Sequence, residues 1–219
     1  MTEKTLNRSA LTAHAVRKAA EISPTPFYIY DEAFLRARCR EMKDMPNAYG
    51  ITVRYALKAN SSRALIRIIA SEGLGFDASS LNEAKRAILA GIEPDRILLT
   101  TQEVPAGDER DDLEGLLMQG LKYNACSLAQ LASVASFAAR NKIAIGMRVH
   151  PGVGSGESVT RNTGDKYSCF GVHLSDMEEA LAIARGASVV IDRVHVHIGS
   201  GGEPEAWREN IERELGFIE

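Results

Sequence analysis

Ile51-Thr52-Val53-Arg54-Tyr55-Ala56-Leu57-Lys58 is the stretch on which the fold turns. Successive side chains of a strand point to opposite faces, so Ile51, Val53, Tyr55 and Leu57 share one face. Thr52, Arg54, Ala56 and Lys58 share the other. Such a strand turns one face to an apolar layer and carries a cation at its C-terminal end on the opposite face. Two later stretches repeat the pattern. Ile145, Met147 and Val149 oppose Gly146, Arg148 and His150. Val194, Val196 and Ile198 oppose His195 and His197.

Helical patterns alternate with the strands. Phe27-Tyr28-Ile29-Tyr30, after Pro24 and Pro26, is predicted as a leading strand, and Asp31 can cap a helix that runs to about Lys43. The strand at Ile51 to Leu57 is followed by a helix from Ala64 to Ser71. Further strands are predicted at 75–78, 97–100, 123–126, 143–149 and 194–198. Helices are predicted at 82–90, 108–119, 128–140, 176–185 and 205–215, and a glycine-rich loop spans Gly152 to Gly164. This alternation predicts an α/β chain with a parallel sheet or barrel. Six barrel-type strands follow from Ile51, whereas a closed (β/α)8 barrel needs eight. Periodicity alone leaves two architectures open, an open doubly wound sheet and a barrel that stops after about six strands. Residues 1–23 are predicted as a helical lead-in, and 24–219 as the barrel domain.

Composition narrows the function classes. The chain has 219 residues, 45% hydrophobic and 25% charged, with a formal net charge of −3, which gives no basic surface for nucleic acid or an anionic membrane. No apolar run approaches the roughly 20 residues that span a bilayer. Met1 to Ala20 has no signal-peptide core, so a cytoplasmic location is expected. Cys39, Cys126 and Cys169 lie far apart, as free thiols would, and no metal site is expected.

In parallel α/β folds ligands bind at the C-terminal ends of the strands. Lys58, Arg148 and a histidine of the last strand converge there, which suits an anionic ligand. Taken singly, a strand-end lysine is as well a solvated charge, and His195 a packed interior imidazole.

Six local sequences in order resemble the fold-type III pyridoxal-phosphate decarboxylases, the barrel enzymes related to alanine racemase. They are Thr25-Pro26-Phe27-Tyr28-Ile29-Tyr30-Asp31, Tyr55-Ala56-Leu57-Lys58-Ala59-Asn60, Gly75-Phe76-Asp77-Ala78-Ser79-Ser80 with Glu83, Arg148-Val149-His150-Pro151-Gly152, Asn162-Thr163-Gly164 with Ser168-Cys169-Phe170-Gly171, and His195-Val196-His197-Ile198-Gly199-Ser200-Gly201. The resemblance covers roughly residues 24 to 215, and the Asn162-Thr163-Gly164 loop is similar to that of the diaminopimelate decarboxylases.

The resemblance implies pyridoxal 5'-phosphate as cofactor, with Lys58 as the lysine that binds its aldehyde. It places His197 against the cofactor ring, Gly199, Ser200 and Gly201 at its phosphate, and Asp77 and Arg148 as pocket residues. Glu83 is either a pocket group or a helix cap. The implied reaction is loss of carbon dioxide from an amino acid, with the cofactor as electron sink. Meso-diaminopimelate, giving L-lysine, is the substrate expected; ornithine, arginine or carboxynorspermidine, racemisation, and a non-catalytic pyridoxal-phosphate barrel are the alternatives. The family's later glycine-rich strand end, the acidic partner of the pyridine nitrogen and the C-terminal β domain have no counterpart in these 219 residues. The chain is therefore expected to be inactive by itself, and to work as a homo-oligomer or with a complementing C-terminal half.

Overall fold

The computed structural model describes residues 11–150, 152, 169–197, 199 and 204–218. Its strands are β1 (Arg54–Ala56), β2 (Gly75–Ala78), β3 (Ile97–Leu99), β4 (Lys122–Ala125), β5 (Ile145–His150), β6 (Val172–His173) and β7 (Ile191–His195). Its α-helices are α1 (Ala13–Ile22), α2 (Glu32–Lys43), α3 (Arg63–Ser71), α4 (Leu81–Leu89), α5 (Asp108–Met118), α6 (Leu128–Arg140), α7 (Met177–Ala187) and α8 (Pro204–Ile218). None of the described helices is long and apolar enough to cross a membrane.

Every ladder is parallel, as the strand–helix alternation predicts. The order β1-β2-β3-β4-β5 continues into β7, which runs beside Ile145–Arg148 of β5. The two-residue β6 meets β5 at Val149 and His150. Registers of Tyr55 with Phe76, and of Asp77 with Leu98, bring the C-terminal ends of successive strands to one side. Between the sheet and the helices lies a continuous core that includes Leu57, Ile66, Ile69, Phe76, Ile97, Leu99, Tyr123, Leu131 and Ile145.

Local sequence explains the helix bounds. On α6, Leu131, Val134, Ala135 and Ala138 recur at helical spacing and are all buried. The Ser127 hydroxyl accepts the Gln130 N–H at its start, so the helix begins where an N-cap is available. α4 ends on Gly91, whose φ of +97° suits glycine; the Gly91 and Ile92 N–H groups close the helix onto Ile88 and Ala87 carbonyls. α2 is clamped to the end of α3 by Glu72, which accepts hydrogen bonds from Arg36 at 2.8 Å and Arg40 at 2.9 Å. Those two guanidiniums hold its carboxyl at a pKa of about 2.

Several details differ from the sequence-based expectation, and β1 covers only Arg54–Ala56 of the strand expected over 51–57. Residues 27–30 form no strand, because no described neighbour offers them backbone groups, and Tyr28 is almost fully exposed. The last strand starts three residues earlier than its apolar alternation suggests, at Ile191 rather than Val194. Polar Arg193 belongs inside it, because its guanidinium is satisfied within the barrel. β6 falls where no strand is expected, beyond a loop of which only Gly152 lies among the described residues.

The interior face of the sheet is polar at its floor. Arg54 of β1 sits opposite Gly75 of β2, and Arg193 of β7 sits opposite Gly146 of β5. A Cβ on Gly146 would lie 2.0 Å from Asn124 Oδ1 and 2.8 Å from Arg193 Nε. The glycine is there because two polar side chains occupy the space a larger residue would need. Gly146→Ala is accordingly expected to cost about 1–3 kcal/mol by overpacking. A urea midpoint equal to that of the parent chain would show that Asn124 and Arg193 move aside freely.

Candidate active site

A cavity of about 210 Å3 opens at the C-terminal ends of the strands. Lys58 just beyond β1, Asp77 of β2, Arg148 of β5, and His195 and His197 at the end of β7 all line it. The sequence marks these five positions by strand parity or by resemblance, and the fold brings them together. Gly199, assigned to the phosphate, follows closely with φ +109°. Ser200 and Gly201 lie outside the described residues, as do Asn162-Thr163-Gly164 and Ser168.

Strand parity fixes which groups face inward. On β2, Phe76 and Ala78 point to the core, and Gly75 and Asp77 to the barrel interior. On β7 and its extension, Val194 and Val196 pack against the core, which turns His195 and His197 to the cavity. His150 shares the parity of Arg148 but not its place in the cavity. It is buried, its ring lies 5.4 Å from that of His173, and its Nδ1 accepts the Gly152 N–H.

Ser79, Thr100, Gln102 and Phe170 line the cavity too, although the sequence did not single them out as site residues. The strand-end rule could have found Thr100 and Gln102, since both follow β3 directly as Lys58 follows β1. Phe170 lies under Arg148, with the guanidinium carbon 5.2 Å from the ring centroid, a cation–π contact that steadies the arginine. Glu83 acts as a cap. Its carboxylate accepts the Ser79 N–H at 2.7 Å and the Ser79 hydroxyl at 2.9 Å, while the Ser80 hydroxyl accepts the Glu83 N–H. This holds the turn that carries Ser79 to the cavity.

Burial and neighbouring charge set the protonation states. Burial pushes the Asp77 carboxyl above its ordinary value, against the opposing pull of the Thr100 hydroxyl, Lys58 and Arg54. Burial, then the positive charge of Arg148, takes His195 down to about 4. His197 is lowered by burial, with Lys58 and Arg148 adding to it. Cys126, at the end of β4, is raised to about 11 by burial, so its thiol stays protonated and unreactive. Among the described residues no cluster of histidine, cysteine or carboxylate could hold a metal ion. All three cysteines are free, two buried and Cys169 exposed.

The donor set fits pyridoxal phosphate. It offers a primary amine for an aldehyde, Arg148 for negative charge, and two imidazoles kept neutral by burial for an aromatic ring. His195 Nδ1 is buried without a hydrogen-bond partner among the described residues, which leaves a polar atom at the cavity for a ligand to satisfy.

The chain is similar to known proteins over most of its length. The diaminopimelate decarboxylase of Methanothermobacter thermautotrophicus is 36% identical over 203 residues, which is 91% of this chain and 46% of that protein. The crystal structure of Helicobacter pylori diaminopimelate decarboxylase complexed with L-lysine superposes with a TM-score of 0.76 at 26% identity, over 93% of this chain and 53% of that one. A further crystal structure of diaminopimelate decarboxylase reaches a TM-score of 0.80 at 25% identity, over 97% of this chain and 50% of the other. The chain thus spans about half the length of the relatives it matches, and its sheet is the first part of the barrel seen in pyridoxal-phosphate decarboxylases. The family model for the pyridoxal-dependent decarboxylase, pyridoxal binding domain, matches residues 33–219. On that match the chain belongs to the pyridoxal-dependent decarboxylases, with pyridoxal phosphate as its cofactor.

Proposed function

We propose that the cavity is the cofactor site of an amino-acid decarboxylase that converts meso-diaminopimelate to L-lysine and carbon dioxide. The observation that carries this reading is the convergence of Lys58, Asp77, Arg148, His195 and His197 on one cavity at the strand ends. The substrate is the one named in the relatives reported above.

In this reading Lys58 is the primary amine that would hold the cofactor through its aldehyde. His197 would meet the ring, neutral and so without repelling Lys58 or Arg148. Gly199, Ser200 and Gly201 would offer backbone N–H groups to the phosphate. Arg148, steadied by Phe170, supplies fixed positive charge, and Asp77 shares the cavity with Lys58, whose charge acts on it. Bound there, pyridoxal phosphate would supply the conjugated ring that serves as electron sink. In this reading residues 24–219 form the barrel domain, residues 1–23 lead into it, and the protein works in the cytoplasm. Among the described residues β1 and β7 each pair along one side only. Further strands of the decarboxylase, or a second copy of the chain, are the partners that would pair there.

The test is titration with pyridoxal phosphate followed by borohydride reduction and peptide mapping. A new visible absorbance band and a pyridoxyl mass on Lys58 are expected. Label on another lysine, or none, would remove the cofactor assignment. Turnover of meso-diaminopimelate against ornithine, by a protein of the relatives' full length, then tests the substrate.

A further inference from the structure

One line of hydrogen bonds crosses the barrel floor from β7 to β2. Arg193 Nε donates to Asn124 Oδ1 at 3.0 Å. Asn124 Nδ2 donates to Thr100 Oγ1 at 3.0 Å. The Thr100 hydroxyl donates to Asp77 Oδ1 at 3.2 Å. Asn124 is fully buried and Thr100 nearly so.

The direction of this line follows from chemistry, not from how the amide was placed. A guanidinium has only donors, so Asn124 must turn its oxygen to Arg193. Its NH2 group must then face Thr100. Thr100 Oγ1 is thereby committed as an acceptor on that side, and its single proton is left for Asp77. Gly146 makes room for the first link, because any Cβ there would overlap Asn124 Oδ1.

We propose that Arg193, which lies outside the cavity, is a positioning residue for Asp77, acting through Asn124 and Thr100 to fix the Thr100 hydroxyl as a donor to the carboxylate. Asp77 then serves the cavity as a hydrogen-bond and proton acceptor, not as an acid. This deepens the reading of the cavity as the cofactor site, but the line of bonds itself does not depend on it. The charged and titratable groups acting on Asp77 are Lys58 and Arg54 from β1 and its end, Glu83 from α4, Cys126 from the end of β4, and Arg148 from β5. The hydrogen-bond route from Arg193 to Asp77 runs through two neutral side chains, and the Thr100→Val background below separates that route from any direct effect of its charge.

The experiment is a carbon-13 NMR pH titration of aspartate-labelled protein without cofactor, with the Asp77 signal identified by its loss in Asp77→Asn. Arg193→Met frees the Asn124 amide to turn over, and the Thr100 hydroxyl then donates to Asn124 instead. The Asp77 midpoint is expected to rise, and to return toward the parent value in Arg193→Lys, which keeps a donor. In a Thr100→Val background Arg193→Met should add no shift. An unmoved midpoint in Arg193→Met overturns the proposal. So does an equal shift in Arg193→Lys, or a further shift on top of Thr100→Val, since either would mean that Arg193 acts by packing or by charge. If Arg193→Met does not fold, Thr100→Val keeps the test open: it must raise the midpoint by itself, and no change overturns the proposal equally. Because the titration needs no pyridoxal phosphate, failure to label Lys58 leaves its outcome readable.

Discussion

Phe76→Ala is expected to lower the free energy of unfolding by about 3–5 kcal/mol, the usual cost of deleting a fully buried aromatic ring. Phe76 has no exposed surface and lies in β2 directly opposite Tyr55 of β1. The two rings meet edge to face, with centroids 6.5 Å apart and planes at 82°. Truncation therefore removes apolar burial and an aromatic pair together. Set against a domain stability of about 5–15 kcal/mol, the loss is a large fraction. It falls on the strand that also carries Asp77, so the cavity would be loosened with the core. Urea unfolding followed by far-ultraviolet circular dichroism measures it, with the midpoint falling and the slope unchanged. A loss below about 1 kcal/mol would mean that the β1–β2 pair is outside the cooperative core.

Acidification from pH 6.5 to about 4 should cost the chain stability through His195. Its pKa is about 4 in the fold and 6.5 ordinarily, with burial as the main cause. Between those values the unfolded chain binds the proton and the folded chain does not. The histidine's contribution is therefore fully present above pH 6.5 and is lost as the pH falls through that window. The fall from 6.5 to about 4, at about 1.4 kcal/mol for each tenfold change in proton affinity, sets an upper bound of about 3.5 kcal/mol. Partial exposure of the ring reduces this. Asp77 works in the opposite sense, because its raised pKa makes the folded state the better proton binder. Glu72, held near 2 by Arg40 and Arg36, loses its contribution only below the ordinary carboxylate range. His195→Gln removes the first effect and leaves the other two. The difference between parent and variant stability should shrink from pH 7 to pH 4, and a constant difference would show that the imidazole is not held neutral by the fold.

The succession of strands and helices was legible because each carries its own period. α6 has its cap at Ser127 and its apolar positions at helical spacing, and it matches its predicted span of 128–140. Residues 27–30 carry the same kind of signal but form no strand, since a strand depends on a neighbour's backbone and periodicity does not supply one. At the site, Lys58 and Arg148 could be read because each closes a strand of clear alternation. Asn124 and Arg193 could not, because a polar residue within a strand looks the same whether it faces solvent or the barrel axis. One mark of them was present. Gly146, in the middle of an apolar strand, signals that something approaches closely, and only the three-dimensional structure says that it is Asn124 and Arg193.

The pairing of Arg54 with Gly75, and of Arg193 with Gly146, has a consequence for how this sequence can drift. Barrels of this type more often fill their axis with layers of branched aliphatic side chains. Here each long side chain is matched by an empty position directly across the ladder, so the volume is shared within a couple. Enlarging the glycine alone crowds the guanidinium, and shrinking the arginine alone leaves a void beside an orphaned amide. Exchanging both together conserves volume and is tolerated best. Positions 146 and 193 should therefore change in concert among descendants of this chain, as should 54 and 75, each couple behaving as one inherited character.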